Sequence, residues 1–246
     1  MRVEQLTFTR FIAAISIVIY HYGTNSFLFN NELVSFIFRQ ANLGVSYFFI
    51  LSGFVMTIAY FKREKFSTKE YLINRFARIY PLYVFAIFLF FLATLFSHIY
   101  YKEVILNLSM LQSWVPNMAL SLNYPSWSLS VEVFFYLCFP ALFYFIKKFS
   151  LIKTTVSILS FWLVSQVIYH LIINEVVTIP IYSIRDISYH PLFHLNEFLI
   201  GILTGIVFLK FEKINLNSTK NTIIIFINII LILAFLRYFT SLNYHI

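Results

Sequence analysis

The stretch LTFTRFIAAISIVIYHY, residues 6–22, places ionisable side chains near both ends of a long apolar run. Between Arg10 and His21, only Ser16 and Tyr20 carry side-chain polarity. A segment of this kind matches the hydrocarbon core of a bilayer, which a helix of about 20 mainly apolar residues can cross. The following YHYGTNSF lacks the small-residue pattern of a cleavage site, so we interpret the stretch as an uncleaved first membrane span.

The rest of the chain is as apolar as this first segment. Its 246 residues are 60% hydrophobic and only 11% charged, and the mean hydropathy is +0.81. Soluble domains carry about 25% charged residues, so a soluble fold is excluded. The composition predicts an all-α, polytopic integral membrane helical bundle that forms a single transmembrane domain over residues 1–246. The abundance of Phe, Ile, Asn and Lys is typical of an AT-rich bacterial genome and favours a bacterial inner membrane.

The basic residues indicate how the predicted spans are oriented. We interpret the net charge of +8 as a topology signal rather than as a nucleic-acid-binding surface. With a cytoplasmic N-terminus, 14 of the 18 lysines and arginines lie on the cytoplasmic side, as the positive-inside rule requires. The long connections on the other side are then expected to fold over the mouth of a site. The seven predicted spans are residues 7–27, 43–61, 79–100, 127–146, 151–173, 191–209 and 222–240.

Arg10 and His21 are predicted to share one face of the first helix. Eleven residues make about three turns and leave a net rotation of about 20°. The two side chains are then separated along the axis by about 16 Å. One interpretation is that Arg10 reaches the lipid headgroups while His21 bonds a neighbouring helix. The other is a functional site, because an ionisable residue inside a membrane is costly to bury.

A second arginine pair lies in STKEYLINRFARIYPLY, residues 67–83. Ser67 followed by Glu70 predicts a capped helix start, and Pro81 predicts that the helix ends before it. The side chains of Arg75 and Arg78 project from one face of this helix, where their two guanidinium groups can bind neighbouring phosphates. The alternative is an interfacial helix that binds anionic lipid.

Two carboxylates, Glu132 and Glu197, fall inside predicted spans at similar depth. His194 precedes Glu197 by three residues, about one helical turn. A buried carboxylate can orient an imidazole or hold a hydroxylated substrate, although helix-to-helix hydrogen bonding is the alternative. Trp127 belongs either to the aromatic belt of the membrane or to a lip that binds sugar.

Other patterns predict packing rather than chemistry. Gly201 and Gly205 form a GxxxG pair, which favours close approach of two helices. Cys138 is the single cysteine, so an internal disulfide is excluded. Histidine, cysteine and carboxylate side chains nowhere have metal-ligand spacing, and we expect no metal.

Taken in order, these motifs resemble those of the membrane-bound acyltransferase type 3 family. Its members are integral membrane enzymes that O-acylate cell-surface glycans and related molecules. The resemblance covers about residues 5–206. It is carried by LTFTRFIAAISIVIYHY, LGVSYFFILSGFVMTIAY, FARIYPLYV, WSLSVEVFFYLCFP and HPLFHLNEFLIGILTG.

The resemblance implies roles for individual residues. Arg10 and His21 match the family's R-x10-H pair, whose histidine is taken as essential for transfer. Arg75 and Arg78 match its RxxR pair at the cytoplasmic face, where the acyl donor is thought to enter. Glu132 falls on the acidic position of its W-x-L-x-x-E block.

The resemblance also implies the donor and the usual size of the protein. Glu197 matches the acidic residue of the family's P-E-F-L-x-G block, with Asn196 in place of the commoner proline. The implied donor is acyl-CoA, often acetyl-CoA. The family usually has about ten spans, so this chain is expected to be C-terminally truncated relative to it.

We therefore expect a membrane O-acyltransferase that moves an acyl group from cytoplasmic acyl-CoA to a hydroxyl of an extracytoplasmic glycan or lipid-linked saccharide. The three arginines bind the phosphates of CoA, and His21 acts as general base. Glu132 or Glu197 orients His21 or holds the acceptor. A covalent acyl-histidine is the alternative route. The competing functions are an inactive remnant, or a transporter or flippase, which an internal inverted repeat would favour.

Overall fold

The structure is a computed structural model that describes residues 5–23, 25–27, 29–31, 35–40, 43–63, 66–94, 101–211 and 218–238. Throughout these ranges the chain is helical or forms turns and loops, and no strand is present. This confirms the all-α prediction. The helices are α1 Gln5–Val18, α2 Ser35–Phe38, α3 Leu43–Tyr60, α4 Thr68–Ala93, α5 Tyr101–Leu108, α6 Trp127–Lys148, α7 Leu151–Ile173, α8 Ile184–Ile187, α9 Pro191–Phe211 and α10 Ser218–Tyr238.

Six segments of the described chain are long and apolar enough to cross a membrane, and they correspond to the first six predicted spans. The seventh predicted span corresponds to α10, whose apolar segment Thr222–Arg237 is shorter than the other six segments. A multi-pass membrane bundle is therefore confirmed, whereas the cytoplasmic N-terminus stays a prediction. The six segments are Leu6–Gly23, Leu43–Tyr60, Thr68–Ala93, Tyr124–Lys148, Leu151–Ile173 and Ile184–Phe211.

The prediction that a separate helix ends before Pro81 is wrong. Ser67 caps the helix by accepting a hydrogen bond from the Glu70 amide at 3.3 Å, but α4 then continues through Pro81 to Ala93. Proline removes only one backbone hydrogen bond, whereas a break inside a bilayer would leave several polar groups unpaired. Consequently, Arg75 and Arg78 lie on a membrane-crossing helix and not on a separate interfacial one.

The core of the bundle is the close contact of α3 with α9. At Gly201, a Cβ atom would overlap the backbone carbonyl of Ile50, and at Gly205 it would come within 2.8 Å of the Thr57 side chain. Gly53 of α3 meets the α9 backbone in the same way. The predicted GxxxG packing is confirmed, because only glycine lets the two backbones approach this closely.

The connection between α4 and α6 folds back onto the bundle through buried polar side chains. Asn107 donates to Ser121 Oγ at 2.9 Å, and Gln112 donates to the Ser126 carbonyl at 3.1 Å. The Tyr83 hydroxyl of α4 donates to the Asn107 carbonyl at 2.9 Å. Paired polar groups of this kind can be buried at little cost, so this connection forms a fixed support for the start of α6.

Candidate active site

A cavity of about 480 Å³ lies among α1, α3, α4 and α6. Its walls are mainly apolar, with a few polar side chains, which is the usual make-up of a small-molecule site. Six of the eight predicted site residues line it. They are Arg10, His21, Arg75, Arg78, Trp127 and Glu132.

Three arginines give the cavity a net positive charge. Arg75 is half-buried and donates from Nη2 to the Tyr60 hydroxyl at 3.3 Å, while its Nε has no partner among the described residues. Arg78 is exposed, and Arg10 lies within electrostatic range of it. None of the three forms an ion pair with a carboxylate of the described chain. Arg10 also lies within electrostatic range of Glu132, so the three guanidinium groups share one nearby carboxylate and keep a net positive charge, which suits a phosphate-bearing ligand.

The helix α3 connects this end of the cavity to the histidine end. Its last residue, Tyr60, bonds Arg75, and Val45 near its start lines the same cavity as His21. Fifteen residues of α-helix span about 22 Å. Arg75 and His21 therefore lie toward opposite ends of the α3 helix. Arg10 lies between them, because Thr9 hydrogen-bonds Tyr47 near the start of α3 while Arg10 itself interacts electrostatically with Arg78.

His21 lies in a turn that differs from the predicted regular helix. After Val18, the chain forms a π-helix, Ile19–Gly23. Such turns are rare and occur frequently at functional sites. The prediction that Arg10 and His21 face one side assumed α-helical rotation throughout, yet both side chains do line the same cavity.

The His21 imidazole is exposed and surrounded by tyrosines. Its ring centroid lies 5.0 Å from that of Tyr20, 6.1 Å from that of Tyr22 and 6.0 Å from that of Tyr124. Within the described part of the chain, it makes these ring contacts and no hydrogen bond. The exposed imidazole lines the cavity, so a substrate bound there can contact it.

Glu132 is held by side chains of the cavity wall. Its Oε1 accepts hydrogen bonds from the Tyr136 hydroxyl at 2.6 Å and from Ser52 Oγ at 3.3 Å. Tyr136 is one turn further along α6, and Ser52 belongs to α3. No described residue donates to Oε2, and none links Glu132 to His21. The predicted orienting contact between Glu132 and His21 is thus not formed in this structure.

Glu197 and His194 form a buried pair outside the central cavity. Their exposed fractions are 4% and 3%, and Nδ1 of His194 lies 3.2 Å from Oε2 of Glu197. His194 Nε2 lies 3.1 Å from the Ser188 carbonyl, which can only accept, so Nε2 carries a hydrogen.

This pair supports the cavity wall from behind. The ring of His194 lies 5.3 Å from that of Trp127, which lines the cavity. Glu197 contacts His194 instead of His21, so a direct role of Glu197 in holding the acceptor stays a prediction. Its Oε1 is buried without a partner among the described residues.

Sequence reasoning missed several residues of the site. Tyr136 lies four residues after Glu132, and this helical spacing was a usable signal. Ser52 reaches the cavity, and Tyr60 reaches Arg75, only through the packing of α3 against α4 and α6, and no sequence pattern marks either residue. Tyr124 and Arg185 come from connections that the sequence presents merely as loops.

Comparison with known proteins identifies the class of the molecule. The chain matches the family described as acyltransferase domain over residues 3–246, and it belongs to that family. The fold and the family together define a membrane-embedded acyltransferase domain.

A curated relative agrees with this membership. The chain is 34% identical over 160 residues to Acyltransferase MdmB from Streptomyces mycarofaciens. The match covers 60% of this chain and 41% of the relative, so the chain spans less than half of that protein's length. No solved structure matches the chain significantly.

Proposed function

We propose that the chain transfers an acyl group, in particular acetyl, from acyl-CoA to a hydroxyl of a glycan or lipid-linked saccharide. The observation that carries the proposal is one cavity that Arg75 and Arg78 line toward one end, His21 toward the other and Arg10 between them. Family membership supports acyl transfer, and the cavity supports a donor that has phosphates at one end and a reactive group at the other.

The donor fits the cavity by its chemistry. CoA joins its phosphates to the thioester through a long flexible pantetheine arm. Arg75, Arg78 and Arg10 bind the phosphates, and the arm follows the apolar wall of the cavity toward His21. Positive charge clustered around the start of α4 supports a cytoplasmic donor, since basic residues favour the cytoplasmic side of a membrane.

The chemical step needs a base at the histidine end. His21 takes the proton of the acceptor hydroxyl while the oxygen of that hydroxyl attacks the thioester carbonyl carbon. The carbon–sulfur bond breaks, the new ester forms, and the CoA thiolate leaves with the proton returned from the imidazole. In the alternative route, the imidazole itself attacks and an acyl-histidine then passes the acyl group to the hydroxyl.

The experiment compares surface glycans from cells with and without the gene by mass spectrometry. Loss of an ester-linked acyl group in the mutant supports the proposal. Loss of glycan export would indicate a transporter, and unchanged glycans would indicate that the chain performs no transfer. Either of these two results would overturn the proposal.

A further inference from the structure

A second cavity of about 230 Å³ adjoins the central one at His21. The two share Ile17, His21, Val45 and Trp127, so a ligand in the second cavity would lie against the same imidazole. The arginines of the donor end do not reach it. The second cavity therefore offers separate space for the molecule that receives the acyl group.

The walls of the second cavity are fixed aromatic side chains. Trp127 packs edge-on against Tyr189 with centroids 4.9 Å apart, and Tyr124 packs against His21. His194 also lines this cavity, where it contacts Trp127 and is itself held by Glu197 and the Ser188 carbonyl. Rigid aromatic faces suit the apolar C–H faces of a sugar ring, and nearby polar groups orient its hydroxyls.

Arg185 brings a positive charge to this cavity. It lies on α8, which Asp186 fixes by accepting hydrogen bonds from the Asn117 amide at 2.6 Å and from Ser183 Oγ at 2.6 Å. Asp186 therefore serves as an anchor, and Arg185 forms no ion pair with any carboxylate in the described ranges. Arg185 is exposed, hydrogen-bonds the Tyr189 side chain in the wall of this cavity and lies within electrostatic range of the neighbouring Asp186. Its guanidinium is therefore positioned at the cavity and has further donors for a ligand.

We propose that the second cavity is the acceptor site and that Arg185 binds an anionic group of the acceptor saccharide. The group is either the carboxylate of an acidic sugar or the phosphate of a phosphorylated or lipid-linked sugar, because a guanidinium pairs with both. This inference rests on the proposed function, since it takes His21 as the centre of transfer. It adds that the acceptor is charged.

The test measures binding of three probes to the full chain in lipid nanodiscs by saturation-transfer NMR. The probes are methyl β-glucuronide, glucose 1-phosphate and the neutral methyl β-glucoside. We expect one anionic probe to bind about tenfold more tightly than the glucoside, as a charge-assisted contact predicts. The probe that does so identifies the carboxylate or the phosphate as the natural group.

Substitutions test whether Arg185 causes the preference for an anionic probe over the neutral glucoside. Arg185→Gln should abolish it, Arg185→Lys should keep part of it, and Lys102→Gln, an exposed basic residue outside both cavities, should leave it unchanged. The inference is overturned if neither anionic probe is preferred, if none of the three binds, or if the preference survives Arg185→Gln.

A parallel assay separates this inference from the proposed function. Transfer of label from acetyl-labelled acetyl-CoA to material in native membranes is measured with the wild-type chain. If that transfer occurs while Arg185 shows no effect, only the charged acceptor is wrong. If no transfer occurs, the proposed function itself fails.

Discussion

Arg75 and Arg78 lie one turn apart on α4 but are held differently. Arg75 is half-buried against Tyr60, whereas Arg78 is exposed at the cavity. We expect the double change Arg75→Gln and Arg78→Gln to raise KM for acetyl-CoA at least about 100-fold, because each of the two charge-assisted contacts contributes about 1.5–3 kcal/mol. Initial rates at varied acetyl-CoA concentrations measure this. The matched control is Lys69→Gln, on the same helix outside the cavity, and an equal rise in that variant would contradict the account.

The His194–Glu197 pair is expected to act on stability. Glu197→Ala leaves the buried imidazole without its carboxyl partner and should lower the free energy of unfolding by about 3 kcal/mol. Glu197→Gln keeps a hydrogen-bonding group and should cost less. Chemical unfolding in detergent measures both changes.

A control on the surface makes this result specific. Glu175→Ala alters an exposed carboxylate in the connection after α7 and should leave the free energy of unfolding nearly unchanged. If Glu197→Ala unfolds with the same denaturant midpoint as the wild type, the His194–Glu197 pair contributes nothing to stability.

At the scale of elements, the contact of α3 with α9 decides whether the bundle forms. Gly201→Val places a branched side chain against the Ile50 backbone carbonyl, which cannot move without shifting α3. Overpacking of this kind costs about 1–3 kcal/mol or more. We expect a lower melting temperature and aggregation on size-exclusion chromatography, whereas Val207→Ala on the exposed side of α9 should behave as wild type.

The elements were predictable where local chemistry decides them. Hydropathy located six long helices, and the Gly201 and Gly205 spacing located their tightest contact. Pro81 misled the prediction because the rule that proline ends a helix reflects water, which can solvate a broken backbone, and a bilayer cannot. The π-turn around His21 left no sequence signal, because such a turn depends on how α1 packs against its neighbours.

At the scale of the whole molecule, the sequence predicts most of the residues that form the site, but it does not predict how they are arranged. Helical spacing placed Arg10 with His21 and Arg75 with Arg78, and the cavity contains all four. Their convergence with Glu132 depends on how α1, α4 and α6 pack around α3, which no single segment reveals. Arg185 was missed because a basic residue in a connection is interpreted first as a topology signal.

The central claim is that His21 carries out the transfer, and one measurement tests it most directly. Label transfer from acetyl-labelled acetyl-CoA to membrane glycans is compared for wild type, His21→Ala and His170→Ala, the last being an exposed histidine outside the cavities. Because His21 is exposed, His21→Ala should keep the melting temperature of the wild type. We expect transfer to fall at least about 100-fold in His21→Ala, as loss of a general base predicts, and to persist in His170→Ala. Wild-type transfer by His21→Ala would contradict the account.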